Sequence, residues 1–484
     1  MKAQNLLVIM SDEHSRKALG CHGHPVVQTP NLDMLARRGT RFTDAYTTSP
    51  LCVPARAAFA VGDYVHRIGF WDNADPYDGS QASWHHLLRE RGHEVVSIGK
   101  LHFRGAGDDN GFSQEILPMH VVDGKGDLIG LLRDPLARRG SARKLAESTG
   151  PGESTYTLYD REIAARAQVW LHEEGRVQRE KPWVLFVSFV APHFPLIAPP
   201  EHYYRYAQLE LELPKQHRRP YDRSHPYVRE YAESLDYGAY FEDDAHVRRA
   251  LAAYYGLCSF LDEQVGKVLA ALEGAGLAGS TRVLYTSDHG DNLGARGLWG
   301  KATMYEESAG CPLIVAGEGI PTAAVVSEPV GHIDIFPFIL DAVGERATEL
   351  APDRPGVSVA RIANGETPSR TVLVEYHATG STAGAFALRL GRFKYVYYCA
   401  HPPELYDLES DPEELHNLAP DPAFADQVAE GERRLRALCD PDEVDRRAKS
   451  RQARTIAMHG GRDAIIERGD FGNTPAPGET AQFS

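Results

Sequence analysis

The sequence predicts an α/β protein with a large, mostly parallel sheet sandwiched by helices, followed by a smaller antiparallel sheet and a helix. Short apolar runs alternate with helical stretches through most of the chain, which is typical of a parallel sheet. Polar residues follow these runs directly, and from about residue 369 the pattern changes to closely spaced strands. With 484 residues, the chain is long enough for a large core and one appended domain.

The first apolar strand is predicted over Asn5–Met10, and a helix over Asn31–Arg38 begins after a Thr-Pro start signal. Three further strands are predicted later in the chain, over Glu94–Ser97, Trp183–Val190 and Arg282–Thr286. In open α/β sheets, ligands bind just outside the carboxyl ends of the strands. The polar residues that follow these strands are therefore expected to gather at one edge of the sheet.

From about residue 369 onward, the chain predicts a separate antiparallel unit. Its expected elements are three strands and a helix, over Thr371–Glu375, Ala385–Leu390, Phe393–Tyr398 and Ala423–Leu438, with Gly391-Arg392 joining the second and third strands. We expect a catalytic domain over 1–368, this subdomain over 369–440, and a polar tail over 441–484. The sequence of the tail is compatible with two structures. One is a helix with an extended arm that docks on a neighbouring subunit, and the other is a solvated segment.

The composition limits the classes of partner. The formal net charge of -15 argues against nucleic acid as the main partner, because phosphate binding needs a basic surface. No run approaches the roughly 20 apolar residues of a membrane span, and no cleavable signal is evident at the N-terminus. The six cysteines show no paired spacing, which fits a reducing compartment. These features predict a cytoplasmic protein without a membrane partner.

Cys52 stands in the run Leu-Cys-Val-Pro-Ala-Arg, which ends at Arg56. A free cysteine is most often a small buried hydrophobe. A cysteine phosphatase loop would need arginine at position 58, where Ala58 stands, and zinc ligation would need a second cysteine nearby. The Cys-x-Pro-x-Arg pattern resembles the one that sulfatases present for conversion of cysteine to formylglycine. The hydrated aldehyde offers one hydroxyl for attack on an ester and a second for release of the product.

Acidic residues follow two of the predicted strands. Asp12 and Glu13 follow the first, and Asp288 and His289 follow the strand that ends near residue 286. Either pair alone could be helix caps or surface charges. Together they form a plausible oxygen-rich site for one divalent cation, either Ca²⁺ or Mn²⁺, with the imidazole favouring Mn²⁺ somewhat. Such a cation would lower the pKa of the hydrate and neutralise an ester oxygen.

Four cationic or imidazole side chains accompany these acids. Their positions are Lys100, His102, His193 and Lys301. Charge on the oxygens of a transferring group requires donors of this kind, with Arg56 adding charge-assisted bonds. A histidine with a pKa near neutrality is the natural proton donor to the leaving oxygen, and we expect His193 to have this role, assisted by Lys301.

Over nearly its whole length the chain resembles the sulfatase branch of the alkaline phosphatase superfamily. The matching segments are Thr29–Asp33, Gly99–His102, Thr286–Gly290, Asp334–Pro337 and Leu405–Leu408. The resemblance implies an alkaline-phosphatase-like fold and a covalent sulfated enzyme intermediate on Cys52. It also implies metal ligation by Asp12, Asp288 and His289, with an ester pocket lined by Arg56, Asn73, Lys100, His102, His193 and Lys301.

Within that family the chain is most similar to choline-sulfatase-like enzymes and phosphonate monoester hydrolases. Asn73 resembles a sulfate-binding asparagine, and Glu375 resembles a glutamate that faces the choline ammonium. Two departures are Glu13, where relatives have aspartate, asparagine or glutamine, and Ala55, where serine is commoner. The resemblance also implies a formylglycine-generating enzyme as a maturation partner and a homodimer or homotetramer.

The expected activity is hydrolysis of small sulfate monoesters, with promiscuity toward phosphonate and phosphate esters. One alternative is a phosphonate monoester or phosphodiester hydrolase. The other is an anion-binding protein without catalysis.

Overall fold

The computed structural model describes residues 2–218, 225–367 and 370–483. Its strands are β1 Asn5–Asp12, β2 Gly39–Phe42, β3 Ala45–Tyr46, β4 Val95–Lys100, β5 Gln114–Met119, β6 Thr149–Pro151, β7 Val184–Pro192, β8 Leu196–Ala198, β9 Thr281–Ser287, β10 Leu313–Ala316, β11 Ala324–Val326, β12 Val330–Gly331, β13 Val372–Tyr376, β14 Ala385–Leu390, β15 Phe393–Tyr398 and β16 His401–Asp407.

Its helices are α1 Pro30–Arg38, α2 Cys52–Val61, α3 Val65–Ile68, α4 Trp84–Glu90, α5 Ser141–Glu147, α6 Thr155–Glu173, α7 Pro200–Ala207, α8 Pro226–Leu235, α9 Asp244–Gly274, α10 Glu306–Ala309, α11 Ile335–Ala342, α12 Ala347–Leu350, α13 Val359–Ala363, α14 Ala425–Leu438, α15 Pro441–Met458 and α16 Arg462–Arg468. Among the helices in the described ranges, none is long and apolar enough to cross a membrane.

An eight-stranded sheet forms the centre of the molecule, in the order β11-β2-β10-β9-β1-β7-β4-β5. Of its described strands, β10 runs antiparallel to its neighbours β9 and β2, and every other pairing is parallel. The predicted mostly parallel sheet is therefore confirmed.

The residues of β1 show why helices cover both faces of this sheet. Leu6, Val8 and Met10 lie in a core that α2 and α11 complete, whereas Leu7 and Ile9 lie in a second core with α1, α6 and α9. Successive strand residues point to opposite faces, so a continuous apolar run requires two apolar layers.

Strand β4 extends further than its sequence pattern predicts and ends at Lys100 rather than Ser97. Gly99 makes this extension possible. Its φ of +102° lies in the left-handed region, and a Cβ there would lie 2.2 Å from the carbonyl oxygen of Ser188 on β7. The extra residues carry Lys100 to the functional edge of the sheet.

The C-terminal antiparallel sheet is also confirmed, with the order β13-β14-β15-β16. Strand β16 was not predicted, because Pro402 and Pro403 weaken a strand pattern. At the edge of a sheet these prolines are tolerated, since one side of the strand has no neighbour to bond. The predicted domain boundary at 368/369 lies outside the described residues, and the division into three units stays a prediction.

The tail predicted as a helix with an arm or as a solvated segment contains two helices, α15 and α16. Asp440 caps α15 by accepting hydrogen bonds from the backbone N–H groups of Asp442 and Glu443, at 3.2 and 3.3 Å. After α16, Asp470 pairs with Arg139, which lies just before helix α5. A role of this tail in assembly stays a prediction.

A buried ion cluster joins the C-terminal sheet to helix α10. Lys394 on β15 is 2% exposed, and its Nζ donates to Glu306 at 2.9 Å and to Glu414 at 2.6 Å. We expect Lys394→Met to lower the free energy of unfolding by about 3–5 kcal/mol, because it removes the buried cation that these two carboxylates share. Denaturant unfolding measures this loss.

The matched control is Arg392→Met in the turn before β15, which removes the pair between an exposed guanidinium and Asp407. We expect a much smaller loss of the free energy of unfolding for this pair, because its cation is in water. Equal losses in the two variants would contradict a special role for the buried cluster.

Candidate active site

The carboxyl ends of four neighbouring strands bring the predicted residues together. Strand β1 ends at Asp12 and β4 at Lys100, while His193 follows β7 and Asp288 follows β9. These strands are adjacent in the order β9-β1-β7-β4, so their polar ends meet at one edge. Helix α2 begins at Cys52 over this same edge.

Cys52 is 1% exposed and surrounded by charged groups. Its Sγ lies 3.2 Å from Lys301 Nζ, 3.2 Å from His289 Nε2 and 3.7 Å from Asp12 Oδ1. Burial raises the pKa of the thiol, but Lys301, Lys100 and His289 outweigh burial and hold this pKa well below its ordinary value. A group at position 52 is therefore stabilised as an anion, which a nucleophile requires.

Arg56 lies one helical turn after Cys52 and points back toward the strand ends. Its guanidinium donates to Asp288 Oδ2 at 2.8 Å, and to Ser188 Oγ and the Lys100 carbonyl at 2.9 Å each. A longer contact of 3.4 Å joins it to Asp12 Oδ2. Among the described residues, Arg56 is not part of the pocket lining. In this geometry Arg56 orients the carboxylates rather than facing an ester directly.

The acids and His289 form a group that fits a divalent cation. Ligand atoms of Asp12, Cys52, Asp288 and His289 lie within 4.8 Å of one another, and all four residues are buried. Burial and the nearby Asp12 raise the pKa of Asp288. Burial lowers the pKa of His289, but Asp288 and Cys52 reverse the effect and raise it to about 9. The cluster thus favours an added positive charge, and its oxygen-rich donor set suits Ca²⁺ or Mn²⁺.

Glu13 extends this group toward a second set of ligand atoms, which it forms with Asp12 and His193. Its Oε2 accepts from Lys301 Nζ at 3.0 Å and lies 3.3 Å from His193 Nε2. Its Oε1 is buried and has no hydrogen-bond partner in the described part of the chain. An orphaned buried carboxylate oxygen fits a missing cation or donor, so Glu13 remains a candidate ligand.

The imidazole of His193 is held in one orientation. Its Nδ1 donates to the carbonyl oxygen of Phe194 at 2.7 Å, which leaves Nε2 facing Glu13 and the pocket. A ring fixed in this way can hold a proton on Nε2 for transfer to a leaving group.

A cavity of about 110 Å³ opens in front of Cys52. Seven residues predicted from the sequence line it, namely Glu13, Cys52, Asn73, Lys100, His102, His193 and Lys301. Asn73 accepts a hydrogen bond from the backbone N–H of Val53 at 3.2 Å, which places its amide beside the start of α2.

Glu375 is not one of the described residues that line this pocket. It lies on β13, fully buried, and its Oε1 accepts from His66 Nδ1 at 3.0 Å, while His377 lies 3.2 Å from Oε2. Burial raises the pKa of Glu375, but His66 and His377 lower it to about 2. Its charge is therefore compensated by His66 on α3 and by His377, and its position does not support the predicted contact with a substrate.

No sequence motif indicates the other wall of the pocket. Arg139 and the C-terminal residues Asp470–Thr474 line it, together with the side chains of Asp127, Tyr156, Phe194, Tyr231 and Tyr237. Arg139 donates to Asp127 at 2.9 Å and to Asp470 at 3.0 Å, and so joins the catalytic domain to the end of the chain. These residues lie in loops and on helices without a motif, so only the long-range packing reveals them.

Comparisons with known proteins agree with this geometry. The family model described as Sulfatase matches residues 4–345, and one described as N-sulphoglucosamine sulphohydrolase, C-terminal, matches residues 294–440. The chain is 36% identical to a choline-sulfatase of Rhizobium meliloti (strain 1021) over 425 residues, which cover 86% of this chain and 83% of that protein. It is 27% identical to arylsulfatase K of Danio rerio over 463 residues, which cover 91% and 85% of the two chains.

Among solved structures, the fold is similar to that of a phosphonate monoester hydrolase of Agrobacterium radiobacter. The TM-score is 0.72 at 23% identity, with 90% of this chain and 95% of that chain covered.

Proposed function

This chain belongs to the sulfatase family, and we propose that it hydrolyses sulfate monoesters through a formylglycine made from Cys52, with a covalent sulfated intermediate at that residue. The observation that carries the proposal is the position of Cys52. It stands at the first residue of α2, with Lys301 Nζ and His289 Nε2 both 3.2 Å from its Sγ. An anionic nucleophile and an anionic ester both require this concentration of positive charge.

The aldehyde hydrate would supply one hydroxyl that attacks sulfur and a second whose deprotonation expels sulfate and restores the aldehyde. Lys100 and Lys301 line the pocket, where their ammonium groups bind the sulfate oxygens. His193 gives the proton on Nε2 to the ester oxygen as the bond between sulfur and that oxygen breaks. His102 lies beside position 52 and accepts the proton of the second hydroxyl.

Asp12, Asp288 and His289 would hold one Ca²⁺ or Mn²⁺, with Glu13 as a further candidate ligand. That cation would neutralise charge on the sulfate and lower the pKa of the attacking hydroxyl. Arg56 keeps Asp12 and Asp288 in place, since its guanidinium bonds to both carboxylates.

The alternatives for the alcohol part of the substrate are choline, an aryl group and an alkyl group. Lys100 and Lys301 recognise the anion through charge, and a phosphonate monoester carries a comparable charge. We therefore propose promiscuous hydrolysis of phosphonate and phosphate esters, and a phosphonate monoester hydrolase remains the alternative. A homodimer or homotetramer and maturation by a formylglycine-generating enzyme are proposed on the family resemblance. A cytoplasmic location is proposed on the six cysteines without paired spacing.

Mass spectrometry of the tryptic peptide Phe42–Arg56 tests the maturation step. In protein co-expressed with a formylglycine-generating enzyme, we expect the peptide mass to fall by about 18 Da as the thiol becomes an aldehyde. The matured protein is then assayed on aryl sulfates, choline sulfate, a phosphonate monoester and a phosphodiester.

Turnover of a sulfate ester only in the matured protein is the expected result. A peptide that remains wholly thiol would contradict maturation at the Cys-Val-Pro-Ala-Arg run. A fully matured protein that hydrolyses none of these esters would overturn the proposed activity, and faster turnover of the phosphonate would favour the alternative.

A further inference from the structure

Residues near the end of the described chain form part of the pocket wall. We name residues 469–476 the C-terminal strap. Arg139 Nε donates to Asp470 Oδ2 at 3.0 Å, and Asn473 Nδ2 donates to the hydroxyl of Tyr156 at 3.0 Å. Tyr156 in turn donates to the carbonyl oxygen of Thr474. Three contacts with the catalytic domain therefore fix the strap beside the pocket.

Thr474 makes a direct contact with His102. Its Oγ1 lies 2.8 Å from Nε2 of the imidazole, and the two residues are only 9% and 6% exposed. His102 itself has a φ of +58°, an uncommon backbone conformation for a residue with a side chain. The position of the imidazole is thus set by the backbone conformation of His102 and by its contact with Thr474 in the strap.

The second ring nitrogen of His102 is available to accept a proton. Nδ1 is buried and has no protein hydrogen-bond partner within the described ranges, and the imidazole interacts with the thiol of Cys52. In its neutral form the ring carries one N–H. A neutral imidazole donates from one nitrogen and accepts at the other, and its hydrogen-bond partners select which is which.

We propose that Thr474 is a positioning residue that accepts the Nε2–H of His102 and thereby keeps Nδ1 as the acceptor that faces residue 52. This inference rests on the proposed function in one respect, namely that a hydroxyl at residue 52 must lose a proton when sulfate leaves. With Nε2 protonated, the proton moves from that hydroxyl to Nδ1, the C–O bond to sulfate breaks and the aldehyde forms again. With the other tautomer, Nδ1 already carries a proton and cannot accept.

The kinetic test compares Thr474→Val with Thr474→Ser in the full-length, matured enzyme. Valine keeps the shape of threonine but removes the hydroxyl, so we expect kcat to fall about 10- to 100-fold, as for other residues that orient a catalytic histidine. Because this proton transfer belongs to the release of sulfate, we expect KM to fall together with kcat and kcat/KM to stay within about twofold. Serine restores the hydroxyl and should return kcat to near the wild-type value.

The matched control is Thr480→Val, an exposed position on the same tail. It should leave both kinetic constants unchanged. A Thr474→Val enzyme with wild-type kcat would overturn the inference. So would a Thr474→Ser enzyme as impaired as the valine variant, because the hydroxyl would then not be what matters.

A spectroscopic test separates this inference from the proposed activity. In full-length protein labelled with ¹⁵N-histidine, the ¹⁵N shifts of His102, assigned by comparison with His102→Gln, report which nitrogen bears the proton. We expect a protonated Nε2 and an unprotonated Nδ1 in the wild type, and loss of this preference in Thr474→Val. If this pattern is seen in a protein that hydrolyses no ester, the proposed activity fails and the positioning role stands. A proton on Nδ1 in the wild type would overturn the positioning role, whatever the activity.

Discussion

Replacing Cys52 with alanine is expected to abolish turnover of sulfate esters, with kcat reduced at least about 10⁴-fold. Alanine cannot become an aldehyde, so neither the attacking hydroxyl nor the hydroxyl that expels sulfate exists in the variant. Lys100, Lys301 and the metal ligands keep their positions, because a smaller side chain at the start of α2 displaces none of them. Binding of sulfate, measured by calorimetry, should therefore persist while steady-state turnover disappears.

The matched control is Cys21→Ala, which removes a half-buried thiol outside the pocket and should leave kcat unchanged. This comparison also decides between catalysis and the alternative of an anion-binding protein. If Cys52→Ala binds sulfate normally and the matured wild type shows no turnover on the ester panel, the non-catalytic alternative gains support. Residual activity of Cys52→Ala within tenfold of the wild type would exclude a nucleophile at this position.

Removing the divalent cation is expected to have the second largest effect, a fall in kcat/KM of about 10³-fold or more. A bound cation contributes several kcal/mol of charge stabilisation in a transition state, and each 1.36 kcal/mol corresponds to a factor of ten in rate. Asp12 and Asp288 are both completely buried, so the carboxylates that would hold the cation lie away from solvent. Dialysis against a chelator, followed by addition of Ca²⁺ or Mn²⁺, measures the loss and identifies the ion that restores activity.

The variant Asp288→Asn should show the same defect without a chelator. Asparagine keeps the size of the side chain but removes the charge that pairs with Arg56 and that a cation requires. Elemental analysis should find less than one ion per chain. Asp63→Asn serves as the control, because Asp63 is a buried carboxylate that pairs with Arg354 outside the pocket. Full activity after exhaustive chelation, with no ion detected, would show that the cluster works without metal.

The sequence predicted that Asp12, His193 and Asp288 would meet at one edge of the sheet because each of them ends or follows a strand. Asp12 and Asp288 are far apart in the chain, but β1 and β9 pair in register, with Ser11 opposite Ser287. Parallel strands carry the residues that follow them to one edge, so strand patterns and polar ends are enough to predict a cluster. The same logic could not place Glu375, which lies within β13 of the C-terminal sheet, where His66 and His377 compensate its charge.

By itself, the amino-acid sequence determined the α/β class, the antiparallel C-terminal sheet and the family, together with the candidate nucleophile and the candidate metal ligands. These features depend on local periodicity and on short motifs, both of which are properties of neighbouring residues in the sequence. Only the tertiary structure showed that Arg56 faces the carboxylates and that Thr474 contacts His102. Such contacts join segments without a shared pattern. The contact between Thr474 and His102 forms when helices α15 and α16 pack and return the chain to the pocket. The physical reason is that hydrogen bonds between distant segments depend on the packing of the whole molecule, whereas strand and motif signals depend on neighbouring residues.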